Sequence, residues 1–354
     1  MARDRLNPVM NVSFGTALPL EHDWGGVHAV PGIAEKLELW GYDCLWCPDE
    51  RFGRNVYSVL SLAATSTTSI RLGVSVTNPY TRHPLITAAA IATVNEVSGG
   101  RAMLGLGAGA STFFERHGMR RSHPPLTMMR ESIEVMKPFL EGGSVSFEGR
   151  ALKFKGANID FESRPVPIYI AARGPKLFQL AGEIADGVII GSLASKEGLD
   201  FAFDNIKIGA ERSGRKISDL DIVFWAYTAI AEDEKEARNL VKRIVVSSMW
   251  SSRSIVKDLG ISDEQWGPVE ETLREGFRRG LEASEVYASA YSMLPDEVFE
   301  TWSVAGTLET VSVKVKSILD WGVNQFAVLP LGGSMEKSLA MQRRFAESII
   351  PLFR

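Results

Sequence analysis

The stretch Pro167–Ile190, PIYIAARGPKLFQLAGEIADGVII, holds one complete unit of the fold. Pro167–Ala171 is a short apolar run with the length and content of a buried strand. Gly174 and Pro175 interrupt it, and Lys176–Ala185 then spaces its apolar residues as a helix does. Gly187–Ile190 is apolar again. Strand, helix and strand in one short run form a βαβ unit, whose two strands are parallel.

The same alternation extends outward in both directions. Upstream, strands are predicted at Val9–Phe14, Asp43–Cys47, Ile70–Val76 and Ala102–Leu106. Helices fall between them over 28–40, 55–68 and 85–97. Gly41 is placed to stop the first helix. A further amphipathic helix is marked by Leu126, Met129, Ile133, Met136 and Leu140. Downstream come a helix over 196–213, a strand at Asp221–Thr228 and a charged helix from about Glu232. A helix at Thr307–Trp321, a strand at Asn324–Leu329 and a last helix to about Ile350 complete the series. Eight strands alternating with helices predict a (β/α)8 TIM barrel in preference to an open doubly wound sheet. The chain reads as a single domain over 1–354 with insertions at 142–165 and 235–300. On such a barrel chemistry belongs at the C-terminal ends of the strands.

Composition narrows the class. The 354 residues are 45% hydrophobic and 23% charged, with a net charge of −4, which is ordinary globular usage. No basic block points to nucleic acid, and no apolar run has the length of a membrane helix. The first residues carry no apolar signal segment, so a cytoplasmic location is expected. No metal site is expected. The two cysteines, Cys44 and Cys47, lie in an apolar strand, where residues three apart point to opposite faces. Buried thiols are expected there in preference to a redox pair.

The residues after each strand carry the candidate chemistry. Gly15-Thr16 follows the first strand as a small polar pair at the rim. Asp49-Glu50 follows the second. Two adjacent carboxylates at a barrel mouth could bind a polar ring or move a proton, or could simply cap a solvated loop. Thr77-Asn78-Pro79-Tyr80-Thr81-Arg82-His83-Pro84 follows the third and is built to hold a fixed shape. His83 there reads as a cap or packing residue. Gly105-Leu106-Gly107-Ala108-Gly109-Ala110 fits a dinucleotide fingerprint, but it sits on a fourth strand, with a long loop before the next helix. A small-residue loop allowing close approach of a ring or backbone is the plainer reading. Ala172-Arg173-Gly174 leads straight into a helix, whose N-terminus is a ready anion site. Gly191-Ser192 follows the sixth strand, and late loops of barrels commonly hold phosphate. Each is separately a tight βα turn; in succession they favour a cofactor bearing phosphate.

Several of these segments resemble the F420-dependent branch of the luciferase-like oxidoreductases, the branch of the methylenetetrahydromethanopterin reductases and phthiodiolone ketoreductase-like enzymes. The likeness is carried by Gly41–Glu50, Leu72–Pro84, Gly99–Gly109 and Ile168–Ile190. The string VTNPYTRHP at Val76–Pro84 is the most specific. The resemblance covers most of residues 9–230 and again 305–330, and is weaker over 235–300. It implies a deazaflavin ring at the C-terminal mouth, with phosphate at Arg173-Gly174 and Gly191-Ser192. It implies a non-prolyl cis peptide at Ser75-Val76, making a bulge behind the ring. It also implies cofactor contacts from Asp49, Thr77, Asn78, Gly107, Ala108, Gly109 and Ala172. The chain departs from the branch at Glu50, where many relatives have histidine. It departs also on the first strand, where the reductases' acidic residue is replaced by Asn11, Ser13 or Thr16.

The implied activity is hydride transfer between coenzyme F420 and a small organic substrate of imine, ketone or enone type, with Glu50 or Asp49 moving the proton. Two other readings stand beside it. One is an FMN-dependent monooxygenase on the same barrel; the other is a carrier of flavin or deazaflavin without catalysis. A homo-oligomer, such as a dimer, is expected.

Overall fold

The computed structural model describes residues 12–18, 26–49, 52–109, 114 and 117–354. Eight parallel strands close into a barrel. They are β1 (Ser13–Ala17), β2 (Cys44–Cys47), β3 (Arg71–Thr77), β4 (Ala102–Leu106), β7 (Ile168–Ala172), β8 (Gly187–Gly191), β9 (Asp221–Ile230) and β11 (Gln325–Pro330). They neighbour one another in that order, and β11 returns to β1 through the pairs Ser13↔Gln325 to Thr16↔Val328. The joint between β8 and β9 runs from Gly187↔Asp221 to Gly191↔Trp225. Two shorter elements complete the sheets. The hairpin β5 (Val145–Glu148) and β6 (Lys153–Ala157) occupies the excursion at 142–165. The three-residue strand β10 (Val304–Gly306) extends the far end of β9. β10 was not foreseen, because three residues carry no readable alternation.

Helices alternate with the strands: α1 (Val30–Leu39), α2 (Val56–Ser66), α3 (Pro84–Val97), α4 (Pro125–Leu140), α5 (Pro175–Ile184) and α6 (Lys196–Arg212). The second excursion holds α7 (Glu234–Ser251), α8 (Asp263–Arg278), α9 (Ala283–Ala288) and α10 (Asp296–Trp302). α11 (Leu308–Asp320) and α12 (Met335–Ser348) follow. Their boundaries have local causes. Asn55 accepts N–H bonds from Tyr57 and Ser58 at the start of α2. His83 Nδ1 accepts from Leu85 N at the start of α3, the capping role expected of it. Gly41, at φ 92°, turns the chain out of α1 in a conformation that other residues resist.

The barrel interior is filled by a few large side chains over glycines. Trp46 meets Tyr169 edge-on at 5.5 Å. Their strands, β2 and β7, are three places apart in the sheet, so the contact crosses the interior. Trp46 Nε1 donates to Gln325 Oε1 at 2.7 Å, also across the barrel. A Cβ on Gly73 would lie 2.2 Å from the Trp46 ring, and one on Gly187 would lie 2.3 Å from Tyr169. The first strand corrects one expectation. Residues 9–11 lie outside the described residues, and Gly15 and Thr16 are not a rim pair but part of β1, which runs on to Ala17. Gly15 makes room for Trp46, and Thr16 faces α12, where it accepts from Gln342 Nε2.

Candidate active site

On one arc of the mouth, Asp49 follows β2 by two residues. Its Oδ2 accepts from Thr77 Oγ1 at 2.6 Å and from Arg82 Nη1 at 3.2 Å. The ion pair is largely sheltered, with side chains 15% and 25% exposed. Arg82 in turn lies over the Tyr57 ring, 5.0 Å from its centre. Burial pushes the Tyr57 hydroxyl up to about 12, so the phenol stays neutral and the ring remains a face for the guanidinium. Charge-assisted bonds from two sides hold the Asp49 carboxylate as an acceptor. Glu50 and Asn11 lie outside the described residues, as does Ala110.

Beside it, the Ser75-Val76 peptide is cis, as the resemblance implied. The β3–β4 register pairs Val74 with Leu104 and then Thr77 with Leu106. Ser75 and Val76 together therefore stand opposite Gly105 alone, which is a bulge. Both are half-buried, whereas Val74 and Thr77 on either side are buried. The bulge explains the glycines of β4. A Cβ on Gly105 would sit 2.3 Å from the Val74 carbonyl oxygen, and one on Gly107 would sit 2.8 Å from Val76 Cγ2. Gly107 N donates to Thr77 O at 2.8 Å, locking the two strand ends together. The spacing that fits a dinucleotide fingerprint thus serves the seating of one strand on the next. Ala108 and Gly109 are half-buried, and Gly109 adopts φ 67° against the Phe114 ring. Asn78 Oδ1 accepts from Tyr80 N and Thr81 N, so its carbonyl shapes the loop and leaves the amide group for other partners.

On the other arc, β7 ends at the buried Ala172, and Gly174 is the N-cap of α5. No side chain caps that helix, and a Cβ on Gly174 would meet nothing within 4 Å. The helix N-terminus is therefore open to an anion. Arg173 folds back over the end of β8. Its Nε donates to Gly191 O at 3.4 Å, and its Nη2 donates to Tyr227 OH at 2.9 Å. Gly191 and Ser192 are buried, and the Ser192 hydroxyl turns inward to Trp225 O at 3.4 Å. Ser192 takes φ 59°, the only non-glycine with positive φ among the described residues. At this end of the barrel the Arg173 guanidinium lies across Gly191.

A bulge behind a cup on one arc and an open, cationic helix start on the other suit a planar cofactor carrying phosphate. Comparison with known proteins says which lineage built this mouth. The family model for luciferase-like monooxygenases matches residues 12–325. The chain belongs to the luciferase-like family. Within it the chain falls on the F420-dependent branch. It is 37% identical over 314 residues to the 5,10-methylenetetrahydromethanopterin reductase of Archaeoglobus fulgidus, covering 88% of this chain and 91% of that one. It is 28% identical over 295 residues to an F420-dependent glucose-6-phosphate dehydrogenase of Mycobacterium avium, covering 81% and 80%. Among solved structures, the coenzyme F420 dependent tetrahydromethanopterin reductase of Methanopyrus kandleri superposes with a TM-score of 0.82 at 30% identity, over 97% of this chain and all of that one. Enzymatic function follows from this membership.

Seen as a luciferase-like barrel, the mouth also contains residues that sequence reasoning passed over. Tyr57, Tyr227 and Ser248 carry no motif; only the alternation within β9, which points Tyr227 the same way as Trp225, could have found one of them. Cys44 and Cys47 are free and buried, and burial raises the Cys44 thiol to about 12 and Cys47 higher still, which makes both inert as nucleophiles. A separate cleft of about 680 Å³ lies outside the barrel between α4, α5 and the hairpin, lined among others by Arg130, Arg150, Lys176 and Arg212. Its Arg130 is held by Glu183 through bonds of 2.9 and 2.7 Å. No helix among the described residues is long and apolar enough to cross a membrane.

Proposed function

We propose that this enzyme transfers a hydride between coenzyme F420 and an electrophilic carbon of imine type, of the kind borne by a methylene-substituted tetrahydropterin. The observation that carries this reading is the 37% identity to a methylenetetrahydromethanopterin reductase across nearly the whole of both chains. The residues present suit the cofactor: an uncapped helix start at Gly174, a guanidinium beside it, and a half-buried bulge at Ser75-Val76 for a planar ring to rest on. When bound, F420 supplies the hydride carrier. Arg173 and Gly174 bind its phosphate, with Ala172, Gly191 and Ser192 setting the backbone around them. Val76, Asn78, Gly107, Ala108 and Gly109 line the ring. Asp49, fixed by Thr77 and Arg82, accepts a hydrogen bond from it. That leaves Glu50 to move the proton, since Asp49 is already engaged as an acceptor. The substrate is a small molecule, and the chain works as a homo-oligomer. Ile86 and Val97, apolar and 60% and 46% exposed on one helix, support that assembly.

The test is a parallel titration of the apoprotein with F420 and with FMN, read by cofactor fluorescence, followed by anaerobic turnover. Selective F420 binding and oxidation of reduced F420 by methylene-tetrahydromethanopterin are expected. Glu50→Gln is expected to cut turnover while leaving F420 affinity within about twofold. Selective FMN binding with oxygen consumption would overturn the reading. Turnover of secondary alcohols in place of the pterin would move the substrate class and leave the cofactor standing.

A further inference from the structure

We propose that Tyr227 and Ser248 are positioning residues that pre-set Arg173 for the phosphate of the cofactor, an inference that rests on the phosphate reading of Arg173-Gly174 given above. Tyr227 OH accepts from Arg173 Nη2 at 2.9 Å and lies 2.6 Å from Ser248 Oγ. Both residues are buried, 4% and 3% exposed. A guanidinium only donates, so the phenol must be the acceptor in the first bond and keeps its own proton for Ser248. Gly191 completes the clamp. Its carbonyl takes Nε at 3.4 Å, and a Cβ there would stand 3.0 Å from Nε, so the absence of a side chain lets the guanidinium lie close on the strand end.

The choice of partners matters as much as the number. An arginine fixed by a carboxylate would have its charge cancelled before an anion arrived. Tyr227 and the Gly191 carbonyl fix it without opposing charge, so its attraction for phosphate is kept. A long side chain ordered in advance also loses less freedom on binding. Ser248 comes from α7, the first helix of the second excursion. The second insertion therefore reaches the cofactor site through one hydroxyl, which gives that insertion a role in cofactor grip.

The experiment titrates Arg173→Gln, Tyr227→Phe, Ser248→Ala, Ser248→Thr and the Arg173→Gln/Tyr227→Phe double variant with F420 and with the phosphate-free deazaflavin riboside. Binding is read by cofactor fluorescence, and the melting temperature of each apoprotein is recorded. Tyr227→Phe should raise the Kd for F420 roughly tenfold, the size expected for a hydrogen bond to a charged group, and leave riboside binding unchanged. Ser248→Ala should cost about threefold, with Ser248→Thr restoring affinity. The double variant should bind no more weakly than Arg173→Gln alone, because Tyr227 acts only through Arg173. If Arg173→Gln leaves F420 affinity untouched, the phosphate reading itself fails. If it weakens F420 binding but Tyr227→Phe does not, or weakens both ligands alike, or the effects add in the double variant, the positioning role is overturned and the phosphate reading survives. Should Tyr227→Phe not fold, the two Ser248 variants decide between the same outcomes.

Discussion

Single glycines of the barrel and its mouth divide into those that make space and those that leave it. Gly73 makes space: a Cβ there would lie 2.2 Å from the Trp46 ring, which is buried and locked across the barrel by Gln325. Gly174 leaves space: nothing lies within 4 Å of its would-be Cβ, and its φ of −90° suits any residue. The two therefore answer differently to alanine. Gly73→Ala should lower unfolding free energy by about 1–3 kcal/mol through overpacking, measured by chemical denaturation. Gly174→Ala should leave stability unchanged and weaken F420 binding, because the added methyl enters the approach to the helix start. Equal stability losses in both variants would refute this division. The glycines of 105–109 teach the same lesson from the sequence side. Their spacing was plain to read, but its cause, the bulge at Ser75-Val76, sits on another strand.

At the scale of elements, the connection from α2 into β3 is held from two sides. Glu38 on α1 accepts N–H bonds from Thr68, Ser69 and Ile70, at 2.9, 2.6 and 2.8 Å. Arg101, just before β4, donates to Thr67 O and Ile70 O at 2.8 and 2.7 Å. Together the two side chains tie down the backbone of Thr67–Ile70 just before β3. Burial pushes the Glu38 carboxyl up, but the backbone N–H bonds and the Ser69 hydroxyl outweigh it and bring it down to about 2. Its folded value is thus depressed below the ordinary 4.5. The sign follows: the contribution is fully present above about pH 4.5 and is lost as pH falls toward about 2. Glu38→Gln should flatten the acid limb of the stability curve over that window and change little at neutral pH in the slope. An unaltered acid limb in denaturant titrations at stepped pH would count against the clamp. Helix and strand existence was readable here from apolar spacing and from Gly41; Glu38 and Arg101 were not, because a charged side chain looks the same in the sequence whether it clamps a loop or faces solvent.

At the scale of the molecule, a ligand gripped by both arcs of the proposed site would tie β2–β4 to β7–β9. Cofactor binding to the folded state alone should then stabilise the whole barrel. At about 100 times its Kd, F420 should add roughly 2.7 kcal/mol, which raises the melting temperature by several degrees, while FMN should not. Calorimetry with each cofactor checks this, and a shift with FMN but not with F420 would favour the FMN reading.

The sequence by itself determined the barrel. Eight apolar runs alternating with helical spacing leave few other ways to bury both faces of each strand, and the units are local, so they can be read in order. It also pointed to the strand ends from which the proposed site is drawn, Asp49, Ser75–Asn78, Gly107–Gly109 and Ala172–Ser192, because in a parallel barrel chain order alone says which end faces the mouth. Only the tertiary structure decided how those residues are used. Arg82 on Asp49, Tyr227 on Arg173, Ser248 on Tyr227, and Trp46 over Gly15 and Gly73 join residues from 21 to 54 positions apart. Such contacts depend on register and closure, and no periodicity within a single element records them.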